Sequence, residues 1–397
     1  MKKIGIVTLY YKNLNFGGLL QAYALPQAIR IHLHRKCEQI AYDCQRRVHI
    51  PTFFETVISA DKNIAGIKKI VKKAGADVLN NLYKKKLLSR RRKFVDFSNA
   101  ICHSQTIYTD ETIKTSCGNY FAVICGGDQI WNDWGEWLTD RAAQNFSLQF
   151  VKAPVRKISY APSLGNGQLS SEFCQKIQPG LTELDFISVR EKSSVSVVEK
   201  MSGKPVSVVL DPVLLLTKED WDKIAKGPYS AKERYTLGYF LGADKKQRKS
   251  TLKFARNIQT KTYVFPFIYG NRANMSDLFF GDIRDFTSGP AEFVGLIKSA
   301  ECVITDSFHA IVFSLIYHKP FYVFERNTQV GGGTMNSRIH DFLEEFGLQD
   351  RLVTPEQLEK KKSIEPIDYT YADKVLARRR KESYDYLKTA LGIQNEV

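Results

Sequence analysis

The sequence predicts an α/β protein with two doubly wound domains, and three observations support this. Short apolar runs of strand length alternate with helical patterns along the chain, which favours parallel sheets covered by helices. The chain has 397 residues, more than one ordinary domain, and 43% of them are hydrophobic, enough for two cores. A polar stretch containing Gly-Pro, residues 218–234, lies between two of the apolar runs and is typical of an interdomain linker.

Strands are predicted where β-branched and aromatic residues cluster. The predicted strands are Ile4–Leu9, Phe121–Cys125, Lys157–Tyr160, Phe186–Val189, Val206–Val209, Tyr235–Phe240, Thr262–Phe265, Cys302–Thr305 and Phe321–Phe324. Helices are predicted where apolar residues recur every three or four positions. These include Leu19–Leu33, Ser193–Met201, Pro290–Ala300, Ala310–Tyr317 and Ser337–Phe346.

These elements divide the chain at the linker. We expect an N-terminal domain at 1–217 and a C-terminal domain at 235–370. A charged helix at 371–397 follows, and we expect it to pack back on the first domain. The first domain contains a basic insertion, 66–94.

The composition limits the classes of binding partner. The chain carries 58 Lys and Arg against 42 acidic residues, a net charge of +16, which predicts an acidic partner such as a phosphorylated substrate or an anionic membrane. Nucleic acid is not expected, because no recognition motif accompanies the charge. The seven cysteines have no metal-site spacing and are typical of free thiols in the cytoplasm. No signal peptide or spanning helix is predicted.

The basic insertion has two interpretations. Between Lys68 and Lys93 it holds eleven Lys or Arg and one acid, Asp77. A helix of this kind binds anionic headgroups at a membrane surface, or it is a solvated helix with one apolar side on the core. Both interpretations stay open. Its apolar positions include Leu79, Leu82, Leu87 and Leu88.

The segment Val303–Phe321 contains the strongest site candidate, His309. Asp306 and Ser307 are residue types that cap a helix, and the first amides of a helix attract anions. His309 would therefore stand beside a phosphate or carboxylate site, although a helical histidine is often structural.

Two Gly-Gly segments follow predicted strands of the first domain. Asn15, Gly17 and Gln21 surround the first pair, which forms either a substrate loop or a tight turn. The second pair precedes Asp128, Gln129 and Trp131. A carboxylate, an amide and an indole suit a sugar; the alternative is a capped helix with Trp131 in the core.

Two arginines are candidates for gripping an anion. Arg190 follows a strand directly, where it binds a ligand or pairs with Glu191 or Asp185. Arg338 lies in the first turn of a helix, with Asn336 or Ser337 as its cap. Three glycines before that helix predict a mobile loop that closes on a ligand.

Seven motifs together resemble the polysaccharide pyruvyl transferase family. They occur in the family's order and cover most of the chain: N-F-G-G-L-L-Q-A-Y-A-L (15–25), G-G-D-Q-I-W (126–131), I-S-Y-A-P-S-L-G (158–165), S-V-R-E (188–191), V-L-D-P-V-L-L-L (209–216), T-D-S-F-H-A (305–310) and N-S-R-I (336–339).

The resemblance implies two Rossmann-like domains facing across a cleft, similar to the B-type glycosyltransferase fold. It implies transfer of pyruvate from phosphoenolpyruvate to a sugar hydroxyl pair, with release of phosphate and no metal or other cofactor. His309 and Asp128 would be catalytic, and donor contacts would come from Arg190, Arg338, Ser307 and Ser337. Acceptor contacts would come from Asn15, Gly17, Gln21, Gln129 and Trp131.

Three further expectations accompany the resemblance. The acceptor is a polysaccharide or its lipid-linked precursor, so the enzyme would be cytoplasmic and peripheral at the inner membrane face. A sugar-nucleotide glycosyltransferase, with Glu325 on the ribose, is the enzymatic alternative. A polyanion-binding protein without enzymatic activity is the other alternative.

Overall fold

The computed structural model describes residues 2–46, 53–61, 63–165, 169–227, 233–269, 272–273, 275–277, 279–326, 329–330, 333–334 and 336–393. Its two main sheets are entirely parallel. The first contains, in spatial order, β2 (Cys37–Gln39), β1 (Lys3–Val7), β3 (Tyr120–Gly126) and β4 (Arg156–Tyr160). The second contains β11 (Ile283–Arg284), β8 (Lys261–Val264), β7 (Tyr235–Tyr239), β12 (Cys302–Thr305) and β13 (Phe321–Val323).

Three strand pairs stand beside these sheets. They are the parallel pair β5 (Ser188–Val189) and β6 (Ser207–Val208), and the antiparallel pairs β9 (Ile268–Tyr269) with β10 (Arg272–Ala273) and β14 (Gln329–Val330) with β15 (Gly333–Thr334). A single bridge from Ile158 to Phe186 joins β4 to the segment that leads into β5.

Helices cover the sheets. They are α1 (Phe16–His32), α2 (Phe53–Ile58), α3 (Ile64–Ala100), α4 (Ala142–Phe146), α5 (Ser171–Thr182), α6 (Val195–Ser202), α7 (Pro212–Leu215), α8 (Lys218–Asp222), α9 (Lys245–Asn257), α10 (Pro290–Ser299), α11 (Phe308–Ile316), α12 (Ser337–Phe346), α13 (Pro355–Lys360) and α14 (Thr370–Leu391).

Both sheets change winding direction at an inner strand. From β1 the chain goes to β2 on one side and then to β3 on the other, and β7 has the same relation to β8 and β12. In open parallel sheets, ligands bind beyond the carboxyl ends of strands at such a reversal. The loops that follow these strands are therefore the expected binding region.

One hydrophobic core is shared by the two sheets. Phe16, at the start of α1, packs against Phe94 of α3 at 4.9 Å between ring centroids and stacks on Phe293 of α10 at 4.6 Å. The same ring contacts Tyr239 and Phe265 in the second sheet and the loop that follows β8. Aromatic burial of this kind contributes strongly to stability. Here it holds together two units, the first built on the sheet that contains β1 and the second built on the sheet that contains β7.

The predicted α/β fold is confirmed, and most predicted elements lie within a few residues of their observed bounds. The predicted linker 218–234 begins with α8, which has a complete capping box at Thr217. The domain boundaries stay a prediction. Gly331 and Gly332 of the predicted mobile loop lie outside the described residues, as does the side chain of Leu79.

The C-terminal helix α14 reaches the first sheet. Ser383 Oγ accepts a hydrogen bond from the Leu210 amide at 3.0 Å, and the Tyr386 hydroxyl donates to the Ser159 carbonyl at 2.8 Å. Among the described helices, none is both long and apolar enough to cross a bilayer. All seven cysteines are free thiols.

Candidate active site

His309 lies where the two units meet. It is the second residue of α11, directly beyond β12, and it is 7% exposed. Its ring packs against Gly17 at the start of α1, where an added Cβ would lie 2.0 Å from Nδ1. Its Nε2 is 3.6 Å from Oδ2 of Asp211, a charge-pair distance rather than a hydrogen bond. The imidazole, which the second unit carries, therefore contacts Gly17 and Asp211 of the first unit.

Arg190 follows β5 and is held by carboxylates. Its Nε donates to Glu191 at 2.9 Å and its Nη1 to Asp211 at 2.7 Å. Burial alone would lower the pKa of Arg190, but Glu191, Asp211 and Asp128 outweigh it and raise the pKa. The guanidinium lies 4.4 Å from the ring centroid of Phe308, and Nη2 makes no hydrogen bond to a described residue. Of the predicted alternatives, the pairing with Glu191 is present.

Asp211 connects Arg190 to His309. Its Oδ1 caps α7 by accepting from the Val213 amide at 2.9 Å, while Oδ2 faces both Arg190 and His309. Burial alone would raise the pKa of Asp211, but His309, Arg190 and the Val213 amide lower it well below its usual value. Sequence reasoning missed this role. An Asp before Pro at a helix start suggests only a cap.

Arg338 approaches the same aromatic ring from α12. Its guanidinium is 6.0 Å from the Phe308 centroid, and the residue is 5% exposed. Burial, Arg326 and Arg190 together lower the pKa of Arg338 to about 9. The side-chain oxygen of Gln129, in the orientation that satisfies the amide, accepts from Arg338 Nη2 at 3.1 Å. A buried guanidinium beside two other cations is stabilised by an anion.

Arg326 is a third buried guanidinium here. It follows β13, its Nε donates to the Asp306 carbonyl at 3.1 Å, and its amide donates to Asn336 Oδ1 at 2.9 Å. The Asn336 side-chain amide returns a bond to the Arg326 carbonyl at 3.2 Å. The predicted cap of α12 is therefore wrong in one respect: Asn336 is at the cap position but uses its side chain to hold Arg326.

The predicted capping by Asp306 and Ser307 is also wrong. The two Asp306 oxygens accept from the amides of Leu241 and Gly242 beyond β7, each at 2.7 Å. Ser307 is at the cap position of α11 but makes no side-chain capping bond. Asp306 therefore ties the end of β12 to the loop after β7, since a fully buried carboxylate requires such donors.

Asp128 is brought to the site by its backbone. Its φ is 50°, an uncommon value for a residue with a side chain, and it follows Gly127 directly beyond β3. Asp128 Oδ1 is 3.9 Å from Arg190 Nη1, with its side chain 16% exposed. The carboxylate therefore stands at the edge of the arginine cluster.

Two acceptor predictions are wrong. Trp131 is fully buried in the first unit and its Nε1 donates to the Phe146 carbonyl at 3.1 Å, so its ring cannot stack on a sugar. Gln21 is 1% exposed and its Nε2 donates to Thr8 Oγ1 and the Gly18 carbonyl, both at 3.0 Å. Both side chains turn inward. The prediction failed because the sequence pattern does not distinguish a site position from a core position.

The remaining predicted residues differ in their burial and in their contacts. Asn15 caps α1 by accepting from the Gly18 amide at 3.1 Å, and Gly17 contacts His309. Ser337, the first residue of α12, is half-buried. Glu325 is exposed, with its carboxylate 2.7 Å from His340 Nε2 at the surface.

The comparisons with known proteins identify the family. The sequence matches Polysaccharide pyruvyl transferase over residues 15–328, which is most of the chain. Arg338 lies ten residues beyond that match, so its predicted role as a donor contact is supported by its position in the structure and not by the family match. No curated protein matches the chain.

Several solved structures have a similar fold at low identity. An S. aureus MnaA–UDP structure is 12% identical, with 100% of this chain and 98% of that chain covered at a TM-score of 0.45. The Methanocaldococcus jannaschii UDP-GlcNAc 2-epimerase is 11% identical, with coverage of 96% and 99% and a TM-score of 0.46. The Streptomyces nogalater glycosyltransferase SnogD is 11% identical, with 99% of each chain covered and a TM-score of 0.38.

At these scores the structural similarities carry no inference about chemistry. The family match does, because it covers far more than half of the sequence and includes six of the seven motifs completely. The chain belongs to the polysaccharide pyruvyl transferase family and is a transferase.

Proposed function

We propose that the enzyme transfers the pyruvyl group of phosphoenolpyruvate to two hydroxyls of a glycan, forming a cyclic ketal and releasing phosphate. The observation that carries this proposal is the meeting of Arg190, Arg338 and His309 around Phe308, beyond the carboxyl ends of parallel strands. Family membership supports pyruvyl transfer to a polysaccharide. The donor and the ketal product are our proposal.

The arginine cluster suits the donor's charge. Phosphoenolpyruvate carries a phosphate and a carboxylate, and Arg forms paired hydrogen bonds with both groups. Arg338 is the first candidate, since its lowered pKa of about 9 reflects burial near other cations. Nη2 of Arg190 supplies a buried donor without a hydrogen bond to a described residue. Ser307 and Ser337 add hydroxyls at the starts of α11 and α12.

His309 is positioned for proton transfer. In the proposed reaction it gives a proton to the methylene carbon, which makes C2 electrophilic, and one sugar hydroxyl adds to C2. Phosphate leaves with the C–O bond electrons, a second hydroxyl adds to C2, and both hydroxyl protons are released. Asp128 accepts one of them, since its carboxylate stands at the partly exposed edge of the cluster, and the other returns to His309 and restores its protonated imidazole. General acid–base catalysis of this kind contributes about 100- to 10,000-fold.

The closeness of the two units implies a motion. His309, Arg190 and Arg338 are each more than 90% buried, and Gly17 lies against the imidazole. A donor reaches these groups only when the contact between Gly17 and His309 opens. Hinge opening and closing of two α/β units is a common way to admit a substrate and then exclude water.

The proposal assigns no metal or cofactor, because the guanidinium groups supply the positive charge that the donor requires. The acceptor is a polysaccharide or its lipid-linked precursor. The test is incubation of the purified enzyme with phosphoenolpyruvate and galactose- or mannose-type glycans. We expect phosphate release that depends on the acceptor, together with the gain of one pyruvate per acceptor. Transfer of a sugar from a UDP- or GDP-sugar instead would overturn the proposal.

A further inference from the structure

We propose that helix α3 is a docking surface for membranes that contain anionic lipids. The proposal depends on what the helix exposes. Ile67, Val71, Val78 and Leu82 are 61–72% exposed. Their spacings of four, seven and four residues keep them on one side of the helix. We call these four residues the apolar stripe.

A different side of α3 is fixed to the protein. Tyr83 stacks on Phe286 at 4.2 Å, and Arg90 donates to the Pro266 carbonyl at 2.8 Å while lying 4.8 Å from the Phe16 ring centroid. Phe94 is 2% exposed. The helix therefore has a buried side with aromatic and polar contacts, and the apolar stripe is not part of it.

The charge of α3 indicates the partner. Between Ile64 and Ala100 the sequence has eleven Lys or Arg and two acids, a net charge of +9 out of +16 for the whole chain. Lys84, Lys85 and Lys86 are exposed just after the apolar stripe. Apolar side chains flanked by lysines are typical of helices that lie in the headgroup region of an anionic bilayer.

Helix α2 extends the same kind of surface. Phe54 is 72% exposed and Ile58 is 70% exposed, and α2 packs against α3. Among the residues that the structure describes, fifteen large hydrophobic side chains are exposed, and nine of them lie in these two helices: Phe54, Val57, Ile58, Ile67, Val71, Val78, Leu82, Leu88 and Val95. Scattered exposed apolar residues are normal, but their concentration on one basic helical unit indicates an interaction surface.

The surface is linked to the active site by Phe16. Arg90 and Phe94 of α3 contact its ring, and the next residue, Gly17, lies against His309. A membrane bound along α3 would therefore hold the substrate-binding edge of the first unit at a fixed orientation to the bilayer. An acceptor carried on a lipid would meet the site there.

Vesicle flotation tests the docking surface directly. Wild-type enzyme should float with vesicles containing about 30% phosphatidylglycerol and stay in solution with pure phosphatidylcholine. Val71→Ser/Val78→Ser/Leu82→Ser and Lys84→Glu/Lys85→Glu/Lys86→Glu should each reduce the bound fraction at least about tenfold. Binding should also weaken as salt rises.

Two controls make the result specific. Reversing three exposed lysines on α9, Lys245→Glu/Lys246→Glu/Lys249→Glu, changes the net charge equally and should leave flotation unchanged. Pyruvyl transfer to a soluble acceptor should be unchanged in the α3 variants. Failure of the wild-type protein to bind anionic vesicles would overturn the proposal. So would serine variants that bind like wild type, since binding would then depend on charge alone, as to a soluble polyanion.

Discussion

Gly17 lies so close to His309 that a Cβ at this position would be 2.0 Å from the ring Nδ1. The two residues are 292 positions apart, and their helices follow strands of different sheets. Because any other residue would displace the imidazole, the glycine is required by close approach rather than by its backbone conformation. Gly17 of the first unit thus lies directly against the candidate catalytic residue of the second.

Gly17→Ala should therefore reduce turnover at least about tenfold, because even a small displacement of a catalytic group is costly. The measurement is kcat for phosphate release. Gly75→Ala in α3 is the matched control, since a Cβ there meets nothing within 4 Å. It should keep full activity. Equal activity of the two variants would show that the closed contact is not part of the reaction cycle.

His309→Asn should lower kcat by about 100- to 10,000-fold, because proton transfer to the donor carbon is lost. The KM for phosphoenolpyruvate should change little. His318→Asn is a control outside the site, since His318 pairs with Asp373 at the surface. A rate of His309→Asn equal to that of wild type would remove the imidazole from the chemistry.

Asp211→Asn should destabilise the protein by about 3 kcal/mol, the usual cost of breaking a buried ion pair, although Asn still caps α7. The pKa of Asp211 is lowered in the folded state, so its stabilising contribution is fully present above the unfolded value of about 3.9 and is lost as pH falls below it. Urea unfolding at pH 7 and pH 3 should show the difference between variant and wild type shrinking at the lower pH. A constant difference would contradict the ion-pair account. The surface variant Asp373→Asn should cost less than about 1 kcal/mol.

Arg338→Met should raise the KM for phosphoenolpyruvate about 30-fold, which corresponds to the roughly 2 kcal/mol of a lost charged hydrogen bond. Arg338→Lys should be intermediate, because an ammonium group keeps the charge but not the paired geometry. In thermal-shift assays, phosphoenolpyruvate should stabilise the wild type and fail to stabilise Arg338→Met. Arg378→Met, an exposed change on α14, should behave as wild type. Stabilisation of wild type by UDP-sugars alone would favour a glycosyltransferase.

The fold was predictable from the sequence because strand and helix periodicities are local. β12 and α12 have their predicted bounds, Cys302–Thr305 and Ser337–Phe346. The strand β2 was not predicted, since its three residues, Cys37–Gln39, are too few to show a period. Its Gln39 Nε2 donates to the Ala22 carbonyl at 2.8 Å, the acceptor that Pro26 leaves without a donor inside α1.

Site residues were predictable by type but less so by direction. Arg190, His309 and Arg338 converge, since each follows or begins an element at the same edges of the sheets. Trp131 shows the limit, because a polar cluster after Gly-Gly does not reveal which side chains turn into the core. Asp211 was missed because its second oxygen acts on residues that are distant in sequence.

The most direct test of the central claim is the mass of an acceptor glycan after reaction with phosphoenolpyruvate, measured together with phosphate. Wild-type enzyme should add one pyruvate as a ketal for each phosphate released, and folded Arg190→Ala and His309→Ala should add it at least about 100-fold more slowly. The absence of any gain in pyruvate mass on every acceptor glycan tried, or an equal gain with wild type and His309→Ala, would contradict this mechanism.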